Sequence, residues 1–394
     1  MSIHNNCQSR LIEPLDVLML RGNKSFGDSG EHGASSMPPS PSVLAGALRS
    51  FWLADLDVNF AKFSNSNNPS HPDDFAEPIQ SQLGTPLHPR GFRLAGSGIA
   101  RRVDGKLQRI YPIPADLVIQ KEAKDAPKPT IYALKPTTLA EGLLSNLAEG
   151  QLVPMLQAPA GKAESGYWLS EVGYFAYIQG KKPQQSDLIK SNELWQSDWR
   201  LGIALDSNTR TASDGQLYTT EACAFKKDVY LVADISGAPD FPLTGNLRLG
   251  GDGRGAGFRT EKFALAPQVL PKNGKLKLIL TSPAIFAEGW KLPGQDEQGR
   301  IHFEGGSARI VTASVPRHQV ISGWNLAAWE PKPAERVVPM GSVYWLDDIE
   351  TNELQIKDGA SLYQALQTLL LTNTDPQRQA EGYNACALAQ WIDA

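Results

Sequence analysis

Residues 247–258, Leu-Arg-Leu-Gly-Gly-Asp-Gly-Arg-Gly-Ala-Gly-Phe, hold the groups best suited to chemistry with a ligand. Gly251, Gly253, Gly255 and Gly257 alternate here and Gly250 precedes them, so the main chain is bare and can approach a partner closely. Arg248, Arg254 and Arg259 flank that bare chain. Backbone N–H groups beside guanidinium forks suit phosphate oxygens, a contact that positions a nucleic acid without reading its bases. The stretch is not a P-loop, since no Gly-Lys-Ser/Thr follows, and it does not fit the GxGxxG dinucleotide pattern. A β-bulge or crowded turn that merely needs glycine fits the same composition, and both readings stay open.

Enzymatic chemistry finds less support. His4, His32, His71, His88, His302 and His318 are dispersed, with no HExxH and no His–Cys cluster, so no metal or cofactor is expected. No GxSxG elbow offers a serine nucleophile. Asp347 and Asp348 are adjacent, and neighbouring side chains usually diverge, so a solvated face explains them better than a carboxylate pair. Trp195, Trp199, Trp290, Trp324, Trp329 and Trp345 could stack bases, though burial in a β-rich core explains a tryptophan more often.

Charge narrows the partners. The 394 residues carry a formal net charge of −4, which argues against a basic nucleic-acid-binding arm. The average hides an asymmetry. Residues 346–394 hold eight acidic side chains against Lys357 and Arg378, a net of −6, so the rest of the chain is about +2. Within it, residues 88–114 carry Arg90, Arg93, Arg101, Arg102, Lys106 and Arg109 against Asp104 alone. Such a cluster can meet phosphates or line a solvated loop. No apolar run approaches the roughly 18–20 residues that span a bilayer, so no membrane is expected. Residues 1–10 are polar and form no secretory leader, and Cys7, Cys223 and Cys386 make no CxxC pair. A soluble, reducing, cytoplasmic home is the expectation.

These groups need elements to position them. The 35 glycines and 28 prolines, with 41% hydrophobic residues, point to a turn-rich, β-containing protein with a real core. The apolar run 10–20 reads as a buried strand, followed by a polar loop to Met37. Ser40 suits a helix N-cap and Pro41 the first helical position, with Val43, Leu44, Ala47, Leu48, Phe51 and Trp52 on one face and Arg49 opposite. Residues 65–89 and 127–138 read as loops, 139–147 as a short helix, and 166–179 as a strand or hairpin. Segments 216–225 and 228–235 read as a strand pair. Further strands are expected over 275–281, 307–316 and 337–345, and helices over 361–371 and 380–391. A domain boundary is placed at 181–187, giving units of 1–185 and 186–394.

Several blocks taken together resemble one family. They are 12–27 (IEPLDVLMLRGNKSFG), 38–50 (PPSPSVLAGALRS), 200–221 (RLGIALDSNTRTASDGQLYTTE), 247–257 (LRLGGDGRGAG), 278–290 (LILTSPAIFAEGW) and 336–345 (RVVPMGSVYW). The chain is similar to the third-subunit family of the type III-B (Cmr) CRISPR ribonucleoproteins, within the RAMP superfamily. The glycine-rich stretch marks only the superfamily, whereas the PPSPS and VPxGSVY blocks are more specific.

The resemblance implies an α+β fold of two ferredoxin-like (RRM-like) βαββαβ domains with insertions. It implies a non-catalytic subunit that grips the 5′ handle of the CRISPR RNA between the large polymerase-type subunit and the backbone subunit. The implied RNA-binding residues are Arg21, Lys24, Ser40, Arg49, Arg248, Gly250, Gly251, Gly253, Arg254 and Gly255. An alternative within the superfamily is a repeat-cleaving endoribonuclease, which would need a general acid or base such as His32. The acidic residues 346–394 lie outside the matched blocks. They are expected to face solvent or a basic protein, so that deleting them weakens assembly more than handle binding.

Overall fold

Proline 14 ends the first strand, and much of the architecture follows from where that strand lies. A computed structural model describes residues 7–20, 32–33, 37–64, 72–86, 88–121, 129–140, 142, 151–206, 208–325 and 330–392, with only the backbone at 32–33, 72 and 212–218. In chain order the elements begin with β1 (Gln8–Pro14), β2 (His32–Gly33), α1 (Pro41–Asp55), α2 (Phe60–Ser64), β3 (Arg93–Val103) and β4 (Lys106–Pro112). There follow β5 (Leu117–Gln120), β6 (Thr130–Thr137), β7 (Val153–Leu156), β8 (Tyr167–Ser170), α3 (Glu171–Ile178) and β9 (Leu188–Lys190). Then come β10 (Trp195–Leu205), β11 (Ala212–Phe225), β12 (Val229–Ser236), β13 (Thr244–Arg248), β14 (Gly255–Glu261) and β15 (Leu276–Leu280). The chain closes with β16 (Arg300–Phe303), β17 (Gly306–Ser314), β18 (Gln319–Asn325), β19 (Glu330–Val337), β20 (Val343–Thr351), α4 (Gly359–Leu370), α5 (Pro376–Glu381) and β21 (Cys386–Ala389).

The result is a mixed α/β protein of mostly antiparallel sheets and few helices. An eight-stranded sheet runs β13-β14-β1-β12-β3-β4-β8-β9, and a five-stranded sheet runs β16-β17-β20-β15-β21. Smaller sheets are β5-β6-β7, β10-β11-β2 and the hairpin β18-β19. Strands from both sides of residue 185 share the eight-stranded sheet, and β8 pairs with β9 across it. Among the described residues no helix is long and apolar enough to cross a membrane.

Each large sheet has its own core. Helix α1 buries Leu44, Ala45, Leu48, Trp52 and Leu53 on the eight-stranded sheet. There the Trp52 ring meets Phe241 edge-on at 5.3 Å. The opposite face is also closed: Leu11, Ala100, Tyr230 and Val232 are buried, with Phe263 of the following connection packed against them. In the second core, β15 is buried along its whole length between β20 and β21, and α4 covers it with Leu362, Leu366 and Leu370.

Lys277 is the second residue of β15 and is fully buried, although strand alternation alone would turn it outward. Its ammonium lies 2.9 Å from Asp116 Oδ2 and 3.9 Å over the Tyr177 ring, and the Tyr177 hydroxyl donates to Asp116 Oδ1 at 2.7 Å. Burial pulls this ammonium below the ordinary lysine range, with the Asp116 charge opposing that pull. One ion pair therefore ties β15, α3 and the turn before β5 together.

Several sequence expectations are corrected. Residues 130–137 form β6 rather than a connection, because both neighbours pair with it. Segment 166–179 is half helix: the Ser170 hydroxyl accepts from the Gly173 N–H and starts α3. Strands β11 and β12 do not pair with each other, since β11 folds back on β10 while β12 inserts between β1 and β3. The helix expected over 380–391 ends at Glu381. Gly382 (φ 93°) and Asn384 (φ 61°) turn the chain through left-handed conformations into β21. Residues 141 and 143–147 of the helix expected over 139–147 lie outside the described residues.

The acidic C-terminal segment is no appendage. It contains most of β20 and all of α4, α5 and β21, and its carboxylates are used locally: Asp347 pairs with Arg309, Asp348 with Arg300, and Glu381 with Lys332 and Arg378. Truncation at Leu346 is therefore expected to unfold the second core, seen as loss of a cooperative thermal transition. Lys277→Met alone should cost about 3–5 kcal/mol in a urea titration by stranding Asp116, and Lys277→Met with Asp116→Leu should cost less.

Candidate nucleic-acid interface

The glycine-rich stretch is a hairpin end. Strands β13 and β14 pair through Arg248 and Gly255, and the Leu249 N–H donates to the Arg254 carbonyl at 2.8 Å. Between them Gly250 (φ 77°), Asp252 (φ 56°) and Gly253 (φ 59°) all take left-handed backbone conformations, forming one tight turn. The hairpin is the edge of the eight-stranded sheet, because β14 pairs on its other side with β1.

The turn is clamped by the chain leaving β1. The Leu15 N–H donates to the Gly255 carbonyl at 3.0 Å and the Gly251 N–H to the Met19 carbonyl at 2.7 Å. A Cβ at Gly250 would lie 2.6 Å from the Met19 oxygen, where nothing fits. At Gly251 it would lie 3.5 Å from Met19 atoms, in ordinary contact, and at Gly253 only the Arg248 Cδ comes within 4 Å. Gly250 thus serves the crowded turn, while the backbone around exposed Asp252 and Gly253 is open to a partner.

The three arginines are placed differently. Arg248 is exposed and makes no ion pair among the described residues. Arg254 Nη1 lies 2.6 Å from Asp16 Oδ2, and its Nε is buried without a hydrogen-bond acceptor. Arg259 pairs with Glu13 at 3.3 Å and Glu261 at 3.2 Å; these acceptors raise its guanidinium above the usual range against its partial burial. Of the three arginines only Arg248 makes no ion pair among the described residues; the exposed Asp252 of the turn makes none either.

The remaining expected residues divide. Arg21 and Lys24 lie outside the described residues, directly beyond the Leu15–Leu20 stretch that clamps the turn. Ser40 stands at the N-cap of α1 with Pro41 following, but its hydroxyl caps nothing; it lies 3.0 Å from the Ser42 hydroxyl, to which Tyr383 donates at 3.2 Å. Arg49 does not point to solvent opposite the apolar face. It is half-buried towards α5, where burial pulls its guanidinium down and the Glu381 charge pulls it up. Ser40 and Arg49 therefore belong to the junction of α1 with the C-terminal elements. The glycine turn with Arg248, Arg254 and Gly255 forms the other group.

Sequence reasoning missed Asp16 and Met19, which the run 10–20 absorbs into one strand. The signal was an acid two residues after Pro14, at the point where a strand must end. Of the tryptophans, Trp345 is buried and Trp195 packs edge-on to Trp168 at 5.5 Å, while Trp199, Trp290 and Trp324 are exposed. Trp329 lies outside the described residues. Gly250→Ala is expected to lower stability by about 1–3 kcal/mol through strain and the Met19 clash. Gly253→Ala should cost about 1 kcal/mol, a contrast readable in thermal midpoints.

Comparison with known proteins supplies the family. The family model described as CRISPR-associated protein (Cas_Cmr3) matches residues 10–391. No curated relative matches the chain. Among solved structures, a chain of the cryo-EM structure of the Type III-B Cmr-beta bound to cognate target RNA and AMPPnP, state 1, is 15% identical with a TM-score of 0.50. That likeness covers 98% of this chain and 100% of that one, and shows a shared fold. A chain of the Type III-B Cmr-beta bound to cognate target RNA is 16% identical over 86% of each chain, with a TM-score of 0.45. With the family model matched over nearly its full length, this chain belongs to the CRISPR-associated protein (Cas_Cmr3) family.

Proposed function

We propose that this protein is a non-catalytic, RNA-binding subunit of a type III-B (Cmr) effector complex, acting in the cytoplasm in antiviral defence. It anchors the repeat-derived 5′ handle of the CRISPR RNA and joins the large polymerase-type subunit to the backbone subunit. The observation that carries this reading is Arg248: an exposed guanidinium, free of acidic partners among the described residues, beside main chain bared by glycine. Such a group meets phosphate oxygens as a fork, and the adjoining backbone adds N–H donors. The similar structures named above are of complexes bound to target RNA, which supports placing a nucleic acid near this subunit.

The topology supports two ferredoxin-like units. Strands β14-β1-β12-β3 are successive neighbours in one sheet and β21-β15-β20-β17 in the other. Each reads as order 4-1-3-2 with every pairing antiparallel, the order of a βαββαβ unit. In the first unit α1 connects strands one and two, and in the second α4 and α5 connect strands three and four. On this reading the change-over falls between Glu261 and Leu276, and the turn of β13–β14 is an insertion before the last strand of the first unit. In the first unit the sheet face around Tyr230 is covered by Leu107 and Phe263, which favours the hairpin edge over that face for the handle.

Binding of a handle-sequence RNA to the full chain, followed by fluorescence anisotropy over a salt series, tests the assignment. Arg248→Glu should weaken binding and lower the salt slope by about 0.7, one phosphate contact on a single strand. Asp16→Asn should tighten binding, because it releases Arg254. An unchanged slope in both variants would remove the hairpin from the interface. Incubation with repeat RNA should leave the RNA intact; cleavage abolished by His32→Ala would overturn the non-catalytic reading.

A further inference from the structure

A second group of cations lies at the other edge of the eight-stranded sheet. There a cleft of about 800 Å³ opens between the end of β5, the loop leading into β8 and the end of β9. Lys121, Lys162 and Lys190 line it, with Ser165, Ser191 and Asn192 between them. Glu164 is the one carboxylate on its walls. The cleft belongs neither to the glycine turn nor to any group discussed above. At the usual inter-strand spacing the two edges stand on the order of 30 Å apart.

The walls are built rather than incidental. The Glu164 N–H donates to the Ile119 carbonyl at 2.8 Å, which docks the loop on β5. Glu164 is then spoken for on both oxygens: Lys121 lies 3.3 Å from Oε1 and the Tyr167 hydroxyl donates to Oε2 at 2.9 Å. On the far wall Gly166 turns with φ 81°, and its carbonyl accepts from both the Ser191 N–H and the Ser191 hydroxyl at 2.8 Å. Lys162 and Lys190 are exposed and make no ion pair among the described residues. Two unpaired ammonium groups thus line a polar cleft whose one wall carboxylate, Glu164, is already engaged. Beyond Asn192, the Glu193 carboxylate accepts from the Lys190 N–H at 3.0 Å and lies 3.7 Å from Arg101, so it is engaged as well.

We propose that this cleft is a second phosphate-binding site, taking a run of linked phosphates. Ammonium groups act as point charges without the planar geometry that a carboxylate or a single base edge would call for. The neighbouring hydroxyl and amide groups add donors for non-bridging oxygens. The cleft is far larger than one phosphate, and its cations lie on three separate elements, which fits successive phosphates better than a lone ion. Both a single-stranded RNA backbone and the chain of a nucleoside triphosphate offer that chemistry.

The test uses the full-length protein with Lys162→Glu and Lys190→Glu combined, and two probes. Inorganic tripolyphosphate is titrated calorimetrically, and a fluorescein-labelled ten-nucleotide single-stranded RNA is followed by anisotropy over a salt series. The double variant should lose tripolyphosphate affinity tenfold or more. If the occupant is a strand, the RNA salt slope should also fall by about 1.4, two contacts at ~0.7 each. A change with tripolyphosphate alone assigns the cleft to a nucleotide's phosphate chain. Lys162→Arg with Lys190→Arg keeps the charge and should bind both probes like the parent, which separates electrostatics from misfolding. Arg248→Glu combined with the doubly reversed lysines should lower the RNA salt slope by a further ~0.7, so the hairpin assignment is read separately from the cleft. Parent-like binding of both probes by the doubly reversed variant would overturn the proposal.

Discussion

Two stretches of main chain approach as closely as backbone allows where the Met19 carbonyl meets Gly250 and Gly251. The 2.7 Å hydrogen bond from Gly251 fixes where the chain leaving β1 runs, and the absence of a Cβ at Gly250 is what lets the turn sit beside it. A second clamp, the Leu15 N–H on the Gly255 carbonyl at 3.0 Å, holds the chain where Asp16 reaches Arg254, while Arg248 at the end of β13 stays exposed. The segment that continues into Arg21 starts from the Met19 clamp.

Charge is distributed with a consistent logic. Two of the three arginines at the hairpin are neutralised by carboxylates: Arg254 by Asp16, just beyond β1, and Arg259 by Glu13 of β1 and Glu261 of its own strand. A guanidinium held this way is a positioned but largely spent cation, and ion pairs this exposed add little stability. Arg248, Lys162 and Lys190 are different, since no carboxylate among the described residues engages them. A protein of net negative charge can therefore attract phosphates locally, because the sign of its field at these edges is set by which cations are left over.

The two large sheets are joined by polar groups as well as apolar packing. Lys277 and Asp116 are buried at the meeting of β15, α3 and the turn before β5, and neither tolerates loss of the other. Such a pair rewards one arrangement of the elements and penalises the rest, a role in specificity more than in net stability. Glu381 does the same between the C-terminal elements, where Lys332 and Arg378 reach it directly and Arg49 of α1 contributes at longer range. These contacts place α1 between the two halves.

Much was legible in the residues themselves. Local rules located β1, α1, β15 and α4, because periodic apolar residues and Pro41 act over a turn or two of chain. The glycine pattern marked the turn for the same reason, since left-handed backbone is a property of single residues. Sequence reading went astray wherever a partner distant in the chain decided the outcome. The run 380–391 has helical composition but supplies a strand, because the edge of β15 was vacant beside it. Strands β11 and β12 are adjacent in sequence yet lie in different sheets, because β1 and β3 compete for β12. Which arginine stays free was likewise invisible: Arg248 and Arg254 differ by six positions and little else until the fold brings Asp16 to one of them. Residue types and spacing determined the elements and the kind of chemistry available, since both are local. Long-range pairing decided the sheets, the buried charges and the cations left for a partner, because backbone edges and counter-ions are shared only in three dimensions.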